Sequence, residues 1–167
     1  MIIIFLFTLL PLTKVKGEEL NLAENAKSAI LIEASTGEIL YQKNANEKLA
    51  PASMTKIMSL ILIMENIENG NLKWNDVVVV SKNASSMGGS QIFLETNEMM
   101  TVEDLVKGIC IASGNDATVA LAEKIAGTEK AFVKLMNDKA KSLGLKNTNF
   151  VNATGLDAEG HYSTAYD

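Results

Sequence analysis

The sequence predicts an α+β domain, a helical part joined to an antiparallel sheet, and three observations carry that prediction. Two strand-like runs flank Ser35-Thr36-Gly37, which is a hairpin signature. An apolar stretch at residues 57–64, with Ser59 its only polar member, reads as a buried helix. Beyond residue 100, three helical patterns follow one another, punctuated by Ser113-Gly114-Asn115 and by single glycines.

The elements follow in order. Residues 29–34 alternate as a strand, 35–37 turn, and 38–43 return. Residues 44–50 form a polar loop. The stretch 57–64 is apolar on every side, so its helix is expected to run through the middle of the domain; it is too short to span a membrane. Asn69-Gly70-Asn71 ends it, and residues 76–80 read as a strand. Gly88-Gly89-Ser90 breaks the chain before a short strand or extended segment at 91–94. Thr101-Val102-Glu103-Asp104 resembles a capping box that opens a helix to about Ala112. Asp116 caps a second helix, 116–126, ended by Gly127. A third spans about 129–143 before Gly144, and 152–167 reads as loop. No repeat or linker divides the chain.

The 167 residues, 47% hydrophobic and 21% charged, suit one globular domain with a real core. The net charge is −5 and every basic residue is lysine. An acidic chain without arginine has no guanidinium clamp for phosphate and is a poor match for nucleic acid. No phosphate-cradling glycine loop occurs, and one His with one Cys builds no typical zinc site, so no cofactor or metal is expected. Cys110 has no partner for an internal disulfide and reads as a buried structural thiol. The apolar run at 2–12 has the length of a secretory h-region, although a basic n-region is missing. Cleavage after Gly17 is expected. The organisation read from this is a signal peptide at 1–17 and an exported domain portion at 18–167.

The chemistry is concentrated at Ser53-Met54-Thr55-Lys56. At the head of a helix, positions i and i+3 share a face, so the Lys56 amine can sit beside the Ser53 hydroxyl. A serine becomes a good nucleophile when a neighbouring base takes its proton, and a desolvated lysine can be that base. The helix N-terminus suits a developing oxyanion. Ser113-Gly114-Asn115 separates two helices and carries a glycine that lets the backbone turn. A second Ser-x-Asn, Ser81-Lys82-Asn83, reads as a strand-end loop. His161, the only histidine, reads as a structural or loop residue, since Lys56 already fills the base role. Each motif alone is common by chance.

Together, Ser53-x-x-Lys56 and Ser113-Gly114-Asn115 resemble the first two motifs of the penicillin-recognising serine enzymes. Residues 29–40, 51–56, 88–94, 101–105, 113–117, 150–155 and 161–167 extend the resemblance, which is greatest to the low-molecular-weight D-alanyl-D-alanine carboxypeptidases. It implies a β-lactamase/transpeptidase-like fold and a serine-type carboxypeptidase that removes the terminal D-alanine of peptidoglycan stem peptides. It assigns Ser53 as nucleophile and Lys56 as its base. Ser113 would pass a proton to the departing D-alanine, and Asn115 would hydrogen-bond the substrate amide. The Ser53 N–H would supply half of an oxyanion hole. β-Lactams would be covalent inhibitors at Ser53, and no cofactor is implied.

The chain contains no Lys-Thr-Gly or Lys-Ser-Gly, the third motif of that family. It therefore reads as the N-terminal part of a longer protein, with later strands completing the sheet and membrane association through a C-terminal anchor among the expectations. Residues 18–167 alone are expected to be unstable or inactive. Two other functions stay open at this point. One is a class A β-lactamase-like hydrolase, although that class has Asp where this chain has Gly114, and Glu159 lacks the neighbours of a deacylating glutamate. The other is a non-catalytic fragment that binds penicillin or cell-wall peptide.

Overall fold

A computed structural model describes residues 22–167; the expected export segment lies outside them. Strands β1 (Ala29–Ile32) and β2 (Ile39–Lys43) pair antiparallel, Ala29 opposite Lys43, with a bulge between Leu31 and Ile32. A 3₁₀ turn, Ala52–Met54, leads into α1 (Thr55–Glu68). Then come β3 (Val77–Val79), α2 (Lys82–Ser85), β4 (Met99–Thr101), α3 (Val102–Ala112), α4 (Asn115–Ala126) and α5 (Glu129–Ser142). β3 and β4 form a second antiparallel pair, so the described residues hold two two-stranded sheets. The α+β expectation agrees with this architecture, whereas α2 and β4 were not expected from the sequence.

The local rules read from the sequence act as expected at most helix ends. The Thr101 side chain caps α3 by accepting from Asp104 N at 3.1 Å, and Thr128 caps α5 through Ala131 N. Gly127 closes α4 at φ +79, a conformation that favours glycine. Ser81-Lys82-Asn83 differs: it is the start of a short helix, with Ser81 accepting from Ala84 N, because the hydroxyl satisfies a free amide there. Residues 91–94 form no strand.

The core places a different helix at the centre from the one hydropathy suggests. In α4, Asn115 through Ala122 are all buried, and α4 packs against α1, α2, α3 and α5. Its Ala117, Ala120 and Ala122 are small enough to let neighbours approach on every side. Ile63, Leu105, Phe132 and Met136 are buried around it, and its own Leu121 is fully buried. By contrast α1 buries Met58, Leu62 and Ile63 but leaves Ile57 62% exposed. That exposed side continues into an apolar groove of about 390 Å³ lined by Met54, Ile57, Ile61, Leu145 and Phe150. Among the described residues nothing covers this side, nor the apolar residues Leu31, Ile32 and Leu40 of the hairpin.

Cys110 is exposed, not buried. The buried stripe of α3 runs through Val102, Leu105 and Ile109, and position 110 lies off it.

Candidate active site

Ser53 lies in the 3₁₀ turn and Lys56 in the first turn of α1, and the structure brings their side chains together. Lys56 Nζ is 3.3 Å from Ser53 Oγ. The two differ in setting: Ser53 is exposed, whereas Lys56 is only 4% exposed. Burial disfavours the ammonium form and moves the Lys56 pKa below the ordinary lysine value. An accessible hydroxyl thus faces a base whose neutral form is favoured by its surroundings. The residue before the serine, Ala52, has φ +47, a left-handed conformation rare outside glycine. Such strain costs roughly 1–3 kcal/mol and persists where surrounding contacts enforce it.

Residues 152–156 pack against this turn and against Lys56. Thr154 O accepts a hydrogen bond from Lys56 Nζ at 2.9 Å. Asn152 Oδ1 builds the turn that presents this carbonyl, accepting from Thr154 N (3.1 Å) and Gly155 N (2.7 Å). Asn152 Nδ2 donates to Leu156 O. Gly155 has φ +87, and a Cβ there would lie 1.8 Å from Ala52 O, so only glycine fits between this turn and the serine. Ser59 Oγ donates to Ala153 O at 2.7 Å, tying the same turn to the next turn of α1.

The second motif is built separately. Ser113, half-buried, ends α3 in the left-handed conformation at φ +56, and α4 restarts at Asn115. Gly88 O accepts from Asn115 Nδ2 at 2.7 Å, and Ser90 O accepts from Asn115 N at 2.7 Å. With its amide nitrogen fixed in this way, Asn115 Oδ1 remains a buried acceptor with no partner among the described residues. A buried polar atom left free in this way is costly, and a ligand N–H would satisfy it. A Cβ at Gly89 would meet both Asn115 and Leu156, so the 152–156 turn borders the loop that holds Asn115.

His161 is 6% exposed and bridges elements rather than facing Ser53. Its Nδ1 accepts from Val151 N at 3.0 Å, which leaves the proton of the neutral ring on Nε2, donating to Thr55 Oγ1 at 2.8 Å. Burial lowers its pKa, against a smaller opposing effect of Asp157. This agrees with the structural reading of His161. The sequence reading missed the Thr154 carbonyl and its organiser Asn152. The signal present was an Asn followed within three residues by glycine, a turn pattern inside a stretch read as loop although it carries part of the family resemblance.

A family model described as D-alanyl-D-alanine carboxypeptidase, peptidase S11, matches residues 14–167. The chain belongs to this family. D-alanyl-D-alanine carboxypeptidase DacF of Bacillus subtilis is 65% identical over 147 residues, covering 88% of the chain and 38% of DacF. Among solved structures, D-alanyl-D-alanine carboxypeptidase DacD from Francisella tularensis superposes with a TM-score of 0.85 at 41% identity, over 89% of this chain and 36% of that one. Penicillin-binding protein D2 from Listeria monocytogenes, in its ampicillin-bound form, gives a TM-score of 0.77 at 31% identity, over 88% of this chain and 60% of that one. The chain therefore spans less than two fifths of the length of DacF and DacD. The β-lactamase/transpeptidase-like fold expected from the peptidase S11 resemblance is the fold observed.

Proposed function

We propose that this chain carries the nucleophile and base of a serine-type D-Ala-D-Ala carboxypeptidase acting on peptidoglycan stem peptides. The observation that carries the reading is the pairing of exposed Ser53 with buried Lys56 at 3.3 Å. Neutral Lys56 offers two N–H donors and one lone pair. Thr154 O takes one N–H, which leaves the lone pair free to accept the Ser53 proton. Ser53 Oγ then attacks the carbonyl between the two terminal D-alanines. The tetrahedral intermediate collapses, the C–N bond breaks, and the departing nitrogen takes a proton by way of Ser113. Water hydrolyses the ester on Ser53 and regenerates the hydroxyl. Asn115 Oδ1, the unpartnered acceptor, receives an N–H of the substrate amide.

A β-lactam would follow the first half of this path and remain as an ester on Ser53. Glu159 lies on a concavity with Ala50, Asp157 and His161 rather than beside Lys56, whose hydrogen bonds go to Ser53 and Thr154. That arrangement favours the carboxypeptidase over a β-lactamase. Export directed by residues 1–17 is part of the same proposal, supported by the apolar run at 2–12.

The test is D-alanine release from a peptide ending in D-Ala-D-Ala by the full-length protein, with Ser53→Ala as control. Release that Ser53→Ala abolishes supports the reading. Penicillin binding without D-alanine release would favour the non-catalytic binding alternative, and rapid penicillin turnover would favour the lactamase.

A further inference from the structure

Asp116, next to Asn115 in sequence, is 1% exposed and faces away from solvent into the segment that seats Asn115. Both carboxylate oxygens accept from Ile92 N, at 3.1 Å each. Oδ2 also accepts from Leu94 N at 3.0 Å, and Oδ1 from Ala117 N at 2.9 Å. The carboxylate thus grips two alternate amides of an irregular segment that has no strand partner to satisfy them.

The residue between those two amides, Phe93, has φ +61 and is 82% exposed. A left-handed aromatic residue is strained, and its own side chain gains little from burial here. The grip on Ile92 and Leu94 is the contact that holds this conformation. The same segment begins with the two carbonyls that aim Asn115: Gly88 O on its side-chain nitrogen and Ser90 O on its backbone nitrogen. Asn115 and Asp116 therefore hold residues 88–94 from both ends, and the free Oδ1 of Asn115 depends on where residues 88–90 lie. Gly89 leaves little slack, since a Cβ there would come within 2.8 Å of Asn115 Nδ2.

We infer that Asp116 is a positioning residue for the acyl-transfer reaction, acting through residues 88–94 to fix the Asn115 carboxamide with its oxygen toward the substrate amide. This rests on the reading of Ser53 as the nucleophile. Asp116 touches no reacting atom. Replacing it with Asn puts an NH₂ against the Ile92 amide and, depending on the side chain's orientation, against that of Leu94 or Ala117, which loosens the grip on residues 92–94, releases the strained Phe93, and lets the Gly88 and Ser90 carbonyls shift. Misplacement by about 1 Å costs on the order of a hundredfold in rate.

The experiment measures acylation of the full-length protein by fluorescent penicillin, as a double-mutant cycle of Asp116→Asn with Asn115→Ala. Acylation of the folded protein is expected to fall roughly ten- to a hundredfold in Asp116→Asn. On the Asn115→Ala background the same change is expected to cost less than about twofold, because the group it positions is already gone. An equal factor on both backgrounds would overturn the inference, since a purely structural role lowers both alike. The cycle is repeated with Phe93→Gly, where glycine adopts φ +61 without strain and relieves the need for the grip. Partial recovery of acylation in Phe93→Gly/Asp116→Asn supports the inference. Failure of that variant to fold, or no recovery in it, assigns Asp116 to folding alone and overturns it. If the parent protein itself takes no penicillin, the Ser53 reading has failed, an outcome distinct from an additive cycle in a protein that is acylated.

Discussion

Lys56 and Thr154, 98 positions apart in sequence, meet through a single hydrogen bond of 2.9 Å from the amine to the backbone carbonyl. A carbonyl satisfies one N–H of the amine without adding a counter-charge. A carboxylate in that place would hold Lys56 as ammonium and rule out the proposed role as a base. Because burial lowers the Lys56 pKa, the fraction of neutral amine at a given pH exceeds that of a solvated lysine. Penicillin acylation is therefore expected to rise with pH and level off at a value below the ordinary lysine pKa of 10.5. A pH profile of the acylation rate checks this; a rate independent of pH between 6 and 10 would contradict it.

Replacing Lys56 with Met removes the proposed base and a desolvated amine together. Acylation is expected to fall roughly 10²–10⁴-fold, the usual contribution of a general base. Stability is expected to hold or rise, because a buried group with a lowered pKa opposes folding wherever the unfolded chain binds the extra proton. Thermal melts beside acylation rates separate the two effects.

Asn152 is expected to matter for activity although it lies away from Ser53. Asn152→Ala removes the acceptor that serves Thr154 N and Gly155 N, at a cost of about 1–3 kcal/mol in stability. It also frees the Thr154 carbonyl, so acylation falls in the fraction that remains folded. Denaturant titration and active-site labelling check both parts.

Gly155→Ala is expected to be more severe. The new Cβ would sit 1.8 Å from Ala52 O at a φ of +87. Left-handed strain and overpacking each cost about 1–3 kcal/mol, so a loss of roughly 3 kcal/mol or more is expected in a urea melt.

His161 supplies a pH dependence of stability. Its folded pKa lies below the ordinary value of 6.5, so between the two the unfolded chain binds more protons. Stability is expected in full above about 6.5 and to decline as pH falls through that value toward the lowered one. Urea midpoints measured at pH 7.5 and pH 5 check the direction, and His161→Gln should flatten the difference.

Most helix ends were legible in the sequence because caps are local: Thr101, Gly127 and Gly144 act within a few residues of themselves. Asp116 is the exception: the N-cap of α4 is Gly114, and the Asp116 carboxylate accepts from the distant Ile92 and Leu94 amides instead. The Ser53–Lys56 pair was legible for the same reason, since two residues three positions apart at the start of a helix meet without tertiary information. The centre of the core was not. Hydropathy favoured residues 57–64, but α4 lies at the centre because its alanines let four helices approach, which is a property of the packed whole. The exposed side of Cys110 was missed because position on a helix face outweighs residue type. Thr154 was missed because its contribution is a backbone carbonyl, which any residue carries, aimed by Asn152 across a distance the sequence does not display.

The most direct test of the Ser53–Lys56 account is mass spectrometry of the full-length protein after brief exposure to penicillin. A penicilloyl adduct on the peptide bearing Ser53, lost in Ser53→Ala and slowed in Lys56→Met, is the expected result. An adduct on another residue, or labelling that survives Ser53→Ala, would contradict it.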